Sequence, residues 1–246
     1  MPNLPGFKHA ASLLLFVSLC MPISLGSVGG VAFAQTEQAS PQSERAAQIM
    51  VEQAQALIET HQYDAAAAAL KTFLSGYPNS SYVDDALLLL ATALISNKQA
   101  TEAIVTLEQL MTDHPASPLI GRARLLLATA HADLGNPDQA LAILAEARSL
   151  EDSVEIKRDA LKLSGDILIT KGDYPHAIQS WLDELSLTPD NERPDVQARI
   201  RSLIQGKMDR KALHRLRDTY PTTFPGDLAL IRLIELFTAK GEDHQA

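Results

Sequence analysis

The sequence predicts an all-α solenoid, a stack of helix pairs behind an N-terminal export signal. Three observations predict it. Ala66, Ala103, Ala140 and Ala177 recur with a 37-residue period. Small residues (Ala54, Ala91, Ala128, Gly165) and breakers (Pro78, Pro115, Pro189) keep that period, with Asp152 in the third breaker slot. Apolar residues fall at helical spacing, as for Ala86, Leu87, Leu90 and Leu94, which share one helix face. One helix pair cannot bury its own apolar face, so such units are stable only when three or more stack.

In chain order, residues 1–34 come first. Lys8 and His9 precede an apolar run from Ala10 to Leu25, and Ala32-Phe33-Ala34 follows. That is the pattern of a secretory signal peptide cleaved before Gln35. Pro22 interrupts the run, which argues against a membrane span. Cys20 opens a second route, lipoprotein processing, in which Leu19 stands where a small residue is wanted; the protein would then sit on a membrane through its lipid. Residues 35–43 are polar and read as a flexible leader.

Residues 44–190 hold four repeats, with helices predicted at 43–60, 63–75, 81–97, 100–113, 118–134, 137–149, 154–171 and 174–187. Each second helix begins near the recurring alanine. Four and seven positions later stand Leu70 and Phe73, Leu107 and Leu110, Leu144 and Ala147, Trp181 and Glu184. In residues 191–246 the frame weakens. Asp195–Gln205 and Asp209–Tyr220 read as a degenerate pair around Gly206. Asp227–Lys240 follows as the unpaired first helix of a further repeat, with Leu230, Leu233, Ile234 and Phe237 inward.

Composition limits the chemistry. The 246 residues carry a net charge of −9, and an acidic balance speaks against nucleic-acid binding, which needs a basic face. The single cysteine is Cys20, so the exported chain has no thiol for disulfides, catalysis or zinc. No metalloprotease motif, nucleophile elbow, phosphate loop or dinucleotide fingerprint is present. His61, His114, His131, His176, His214 and His244 lack metal-binding spacing and read as surface residues. The expectation is a non-enzyme with no cofactor and no metal. One local departure stands out. Between Arg193 and Arg217 eight basic residues face two acidic ones, a charge of +6. Arg199, Arg201, Lys207, Arg210, Lys211, Arg215 and Arg217 form a candidate patch for an anionic partner, or else a solvated helix face.

The unit Leu161–Pro189 resembles a tetratricopeptide repeat: Gly165 and Ala177 are small, Gly172-Asp173 joins the helices, Trp181 and Leu185 pack inward, and Pro189 stops the chain. The 37-residue period exceeds the 34 usual in that family. The resemblance implies that first helices line a concave groove, placing there Val51, Leu88, Leu125 and Lys162, with Gln55, Thr92, Thr129 and Asp166 one turn on. Family members that grip a peptide carboxylate share a Lys and an Asn at these two positions. Only Lys162 fits, and Asp166 replaces the Asn, so no clamp is expected. The row Val51, Leu88, Leu125 suits an apolar or helical partner segment, or else it is core.

The export signal, the period and the endings Tyr77-Pro78, His114-Pro115 and Tyr220-Pro221 are similar to bacterial envelope repeat proteins. The nearest groups are the BamD-like outer-membrane assembly lipoproteins and the cell-division coordinator. Residues 220–236 also resemble the N-terminal repeat region of penicillin-binding-protein activators, where a ligand-binding domain follows. These resemblances imply a periplasmic or outer-membrane-associated scaffold for envelope assembly or peptidoglycan synthesis. The alternative is a regulatory repeat module of a longer activator or ligand-binding protein.

Overall fold

The computed structural model describes residues 40–150 and 153–239, which form eleven α-helices and no strand. The signal peptide, Cys20 and most of the leader lie outside the described residues. The helices are α1 (Pro41–Glu59), α2 (Tyr63–Gly76), α3 (Val83–Ser96), α4 (Ala100–Asp113), α5 (Ile120–Asp133), α6 (Pro137–Leu150), α7 (Val154–Thr170), α8 (Tyr174–Leu187), α9 (Arg193–Gly206), α10 (Arg210–Thr219) and α11 (Gly226–Thr238). Every predicted boundary falls within about two residues of these, an ordinary margin for helix ends. The helix starts inside the stretch read as leader because Ser40 caps it: the Ser43 amide donates to Ser40 Oγ at 3.2 Å, with Pro41 in the first turn.

Four turns share one geometry. His61, Lys98, Gly135 and Gly172, each 37 residues apart, all have left-handed φ, between 60° and 77°. At each turn that residue's amide donates three residues back and the next amide five back, as Gly172 N to Ile169 O at 3.0 Å and Asp173 N to Leu168 O at 2.9 Å. This double closure ends the first helix and folds the second against it. Two of the four residues carry a Cβ in a conformation that costs L-residues about 1–2 kcal/mol.

Each second helix buries the stripe read from the sequence. Ala66, Leu70, Phe73, Ala103, Leu107, Leu110, Ala140, Leu144 and Ala147 are all 0% exposed. A Leu or Phe taken fully out of water contributes about 1.5–3 kcal/mol. The core is divided into three clusters. One joins α1 to α5 and is rich in leucine, with Phe73. One reaches from the end of α7 to α11. Between them lies a thin cluster made of Ala128, Ala140, Leu144, Ala147, Ala160 and Ile167.

The fifth pair departs from the frame. Gly206 is not a pivot; it lies in the last turn of α9 without positive φ, and Lys207 closes that helix with a single bond to Leu203 O. The buried residues of α9, Val196, Ile200, Leu203 and Ile204, follow those of α7 by 36 residues. In that register Arg201 occupies the place of Gly165, and it is exposed. With no small residue at the crossing and no left-handed turn, α9 packs little against α10 or α7. Helix α11 covers α10 and touches α9. It buries Ala229, Leu233 and Phe237, whereas Leu230 and Ile234, expected inward, are 38% and 42% exposed. Only one side of α11 has a neighbour among the described residues.

Candidate interaction surfaces

Helices α1, α3, α5 and α7 pack in sequence beside one another, which brings the expected groove residues onto one side. Val51, Gln55 and Leu88 line a cavity of about 510 Å³ with Tyr82, Asp85 and Arg122. Gln55 is exposed, Leu88 is half-buried against the first core cluster, and Val51 is only 7% exposed. Leu125 lies outside this cavity, half-buried against the thin middle cluster. Thr92 and Thr129 turn their hydroxyls onto their own helices, donating to Leu88 O at 2.8 Å and Leu125 O at 2.9 Å. Lys162 and Asp166 stand exposed at the far end. The row is therefore graded: core at Val51, wall at Leu88 and Leu125, open at the last two. Burial lifts the Asp85 carboxyl above the usual carboxylate range, and neighbouring Asp84 lifts it further.

At the junction of the fourth and fifth pairs two charged groups replace apolar packing. Glu184, which follows Phe73, Leu110 and Ala147 in the repeat, is 4% exposed. Its Oε1 accepts from Arg199 Nη2 on α9 at 2.6 Å, and the Arg199 guanidinium lies 5.3 Å from the Trp181 ring centroid. Desolvation of the buried Glu184 carboxylate and the half-buried Arg199 guanidinium offsets much of their attraction, so the pair directs which helices meet more than it stabilises them. Trp181 packs on the neighbouring α7, where Gly165 admits it: a Cβ there would stand 2.2 Å from Trp181 Nε1. The earlier repeats place alanine opposite leucine; this one places glycine opposite tryptophan. Asp166 faces the same junction. Burial raises its pKa, partly offset by Arg199, Lys162 and the nearby Trp181 indole N–H, which does not reach ordinary hydrogen-bond geometry.

The structure divides the basic patch. Arg199 serves the junction. Arg210 lies 4.6 Å from the Phe237 ring centroid and donates to Leu236 O at 3.3 Å, and Arg217 pairs with Asp218 at 2.7 Å. Arg201 is exposed on α9. Lys207, Lys211 and Arg215 converge on one cavity of about 280 Å³ and have no ion-pair partner among the described residues. His131, expected at the surface, is a correction. It takes the core place held by Leu94 and Leu168 and is 8% exposed, because its helix is covered on that face by its neighbours. Sequence reasoning passed over Glu184 and Arg199 as a pair. The available signal was a charged residue in an apolar column of the repeat.

Among the described residues no group of three or more His, Cys, Asp or Glu is placed to hold a metal. No described helix is long and apolar enough to cross a membrane. What remains is a helical-repeat solenoid with open, side-chain-lined surfaces. The chain belongs to the tetratricopeptide repeat-like domain family, whose model matches residues 15–212. No protein of curated function matches it in sequence. Three solved structures share the fold. MamA is 19% identical, with TM-score 0.52, 81% of this chain and 96% of that chain covered. PilF of Pseudomonas aeruginosa is 14% identical, with TM-score 0.54 and coverages of 83% and 97%. A Podospora anserina protein described as a kinesin light chain with nearly identical TPR-like repeats is 14% identical, with TM-score 0.56 and coverages of 82% and 99%.

Proposed function

We propose that the protein is a non-enzymatic scaffold of the bacterial envelope that holds a protein partner in the groove of its first helices. The cavity lined by Val51, Gln55 and Leu88 carries this reading. A half-buried apolar wall with an exposed amide at its rim suits an amphipathic helix or an extended apolar segment. Export by residues 1–34, with mature chain from Gln35, would place it in the periplasm; N-terminal sequencing that finds a lipidated Cys20 moves it to a membrane. The partner's role is envelope assembly or peptidoglycan synthesis, as the sequence resemblances imply.

A photo-crosslinking residue at Gln55 tests the groove. The same residue at Gln109, exposed on α4, is the control. A partner captured from Gln55 alone, and lost on Leu88→Ser, supports the reading. Equal capture from both positions ends it. A second reading, a regulatory repeat module beside another domain, is favoured by the exposed apolar residues Leu230, Ile231 and Ile234 on α11.

A further inference from the structure

The junction behind α8 contains two adjoining cavities of opposite character. The first, about 440 Å³, is walled by Ile169, Trp181 and Leu203, with Asp166, Arg199 and Lys207 at its margins. The second is the cavity of about 280 Å³ where Lys207, Lys211 and Arg215 converge beside Tyr174 and Pro175. Lys207 lines both. Asp209 also borders the second, but it accepts from the Ala212 amide at 2.7 Å and caps α10. The cleft exists because α9 is held through Glu184–Arg199 and has neither the small residue nor the turn that would pack it against α10 and α7.

We infer that this paired cavity docks an acidic protein segment carrying one apolar side chain. The apolar residue enters between Ile169, Trp181 and Leu203; flanking carboxylates meet Lys207, Lys211 and Arg215. Charge complementarity supports this occupant. The chain as a whole is at −9, yet these three cations have no partner among the described residues. Placing unpaired like charges together costs free energy that an anionic ligand recovers. A flat bilayer meets protruding cations, whereas these line a recess beside an apolar slot. The site is separate from the groove lined by Val51 and Leu88. The inference rests on the scaffold reading only in taking the partner to be a protein.

Trp181 is the chain's only tryptophan, so its fluorescence reports on the cleft directly. The experiment titrates the exported chain with a short synthetic peptide of Asp and Glu around a central Leu. The expected result is a saturable change in Trp181 emission that weakens with salt, as screening requires. Lys211→Glu with Arg215→Glu, both exposed, weakens binding about tenfold or more through lost and reversed charge. Arg201→Glu lies outside both cavities and keeps the parent's affinity. Circular dichroism confirms that the variants are folded. The inference is overturned if Arg201→Glu weakens binding as much as the double variant, or if the peptide leaves Trp181 unchanged. It is also overturned if phosphatidylglycerol vesicles or inorganic phosphate produce the change and the peptide does not. Leu88→Ser leaves this titration intact, so a failed Gln55 crosslink and a failed titration count against different surfaces.

Discussion

Repeats one to four and the fifth pair are written in the same helical code, and only the former fold into regular hairpins. Both regions have amphipathic helices bounded by breakers, although α10 is shorter than the helices of the regular pairs. Two small features separate them. The regular pairs have Ala54, Ala91, Ala128 or Gly165 at the crossing and a left-handed residue in the turn; the fifth has Arg201 at the crossing and Met208, without positive φ, in the turn. Amphipathic pattern makes helices, and these two positions make hairpins of them. The fifth pair is held by Glu184–Arg199 and by the cluster it shares with α8 and α11.

The largest effect should come from breaking that charged joint on one side. Arg199→Met leaves the Glu184 carboxylate buried without its counter-charge, at a cost of about 3 kcal/mol. Glu184→Leu combined with Arg199→Met restores the apolar residue of the earlier repeats and should come within about 1 kcal/mol of the parent. Denaturant unfolding of the three proteins compares them, and an equally damaging double variant refutes the account.

Next is the glycine–tryptophan exchange. Gly165→Ala pushes a methyl group into Trp181 and should cost about 2 kcal/mol. Adding Trp181→Leu recreates the alanine–leucine pairing of the first three repeats, so the two changes should cost less together than summed. Strict additivity in thermal melts would mean the pair is not coupled.

The turns offer a smaller contrast of opposite sign. Gly172→Ala should destabilise by about 1 kcal/mol, since alanine resists the left-handed region. Lys98→Gly relieves the same strain and should stabilise by about 0.5 kcal/mol after the added backbone entropy of the unfolded chain. The Lys98–Asp133 contact it removes is 3.7 Å long with Lys98 83% exposed, and such a surface pair is worth little.

Smallest is the pH term at Asp166. Its folded pKa is raised, so the folded state holds the proton more tightly than the unfolded one. Stability from this group is complete below the unfolded carboxylate pKa and is lost as pH rises through the folded value. Asp166→Asn should therefore raise the melting temperature slightly at neutral pH and not at all in strong acid. The gain is small because the carboxyl is only partly withdrawn from water, the residue as a whole being exposed, and because Arg199 and Lys162 offset the effect of burial. An equal gain at both pH values would remove burial as the cause.

Most of the fold was legible because the 37-residue period fixes both helix ends and buried faces. The structure agrees at Leu70, Leu107 and Leu144 without adjustment. The left-handed turns were half legible: Gly135 and Gly172 advertise them, while His61 and Lys98 do not, because repeat packing overrides their local preference. The groove row could be placed but not graded, since Val51 and Leu125 have the same spacing as Leu88 and differ only in what neighbouring helices cover. The basic run was visible as composition. Its division into Arg199, Arg210 and Arg217, which serve the fold, and Lys207, Lys211 and Arg215, which remain available, depends on contacts up to 26 residues apart.

The thin middle cluster has a mechanical consequence. In a solenoid each joint bears the connection alone, since no contacts from distant sequence bridge it. The buried centre of the joint around α6 is made largely of alanines, with Leu144 and Ile167 as its bulk and Leu125, Leu141, Ile143 and Leu163 half-buried around it. Leucine-rich blocks lie on either side. Under tension or heat the four regular repeats should part there before they part within the leucine-rich first block. Amide exchange should show α6 opening ahead of α3.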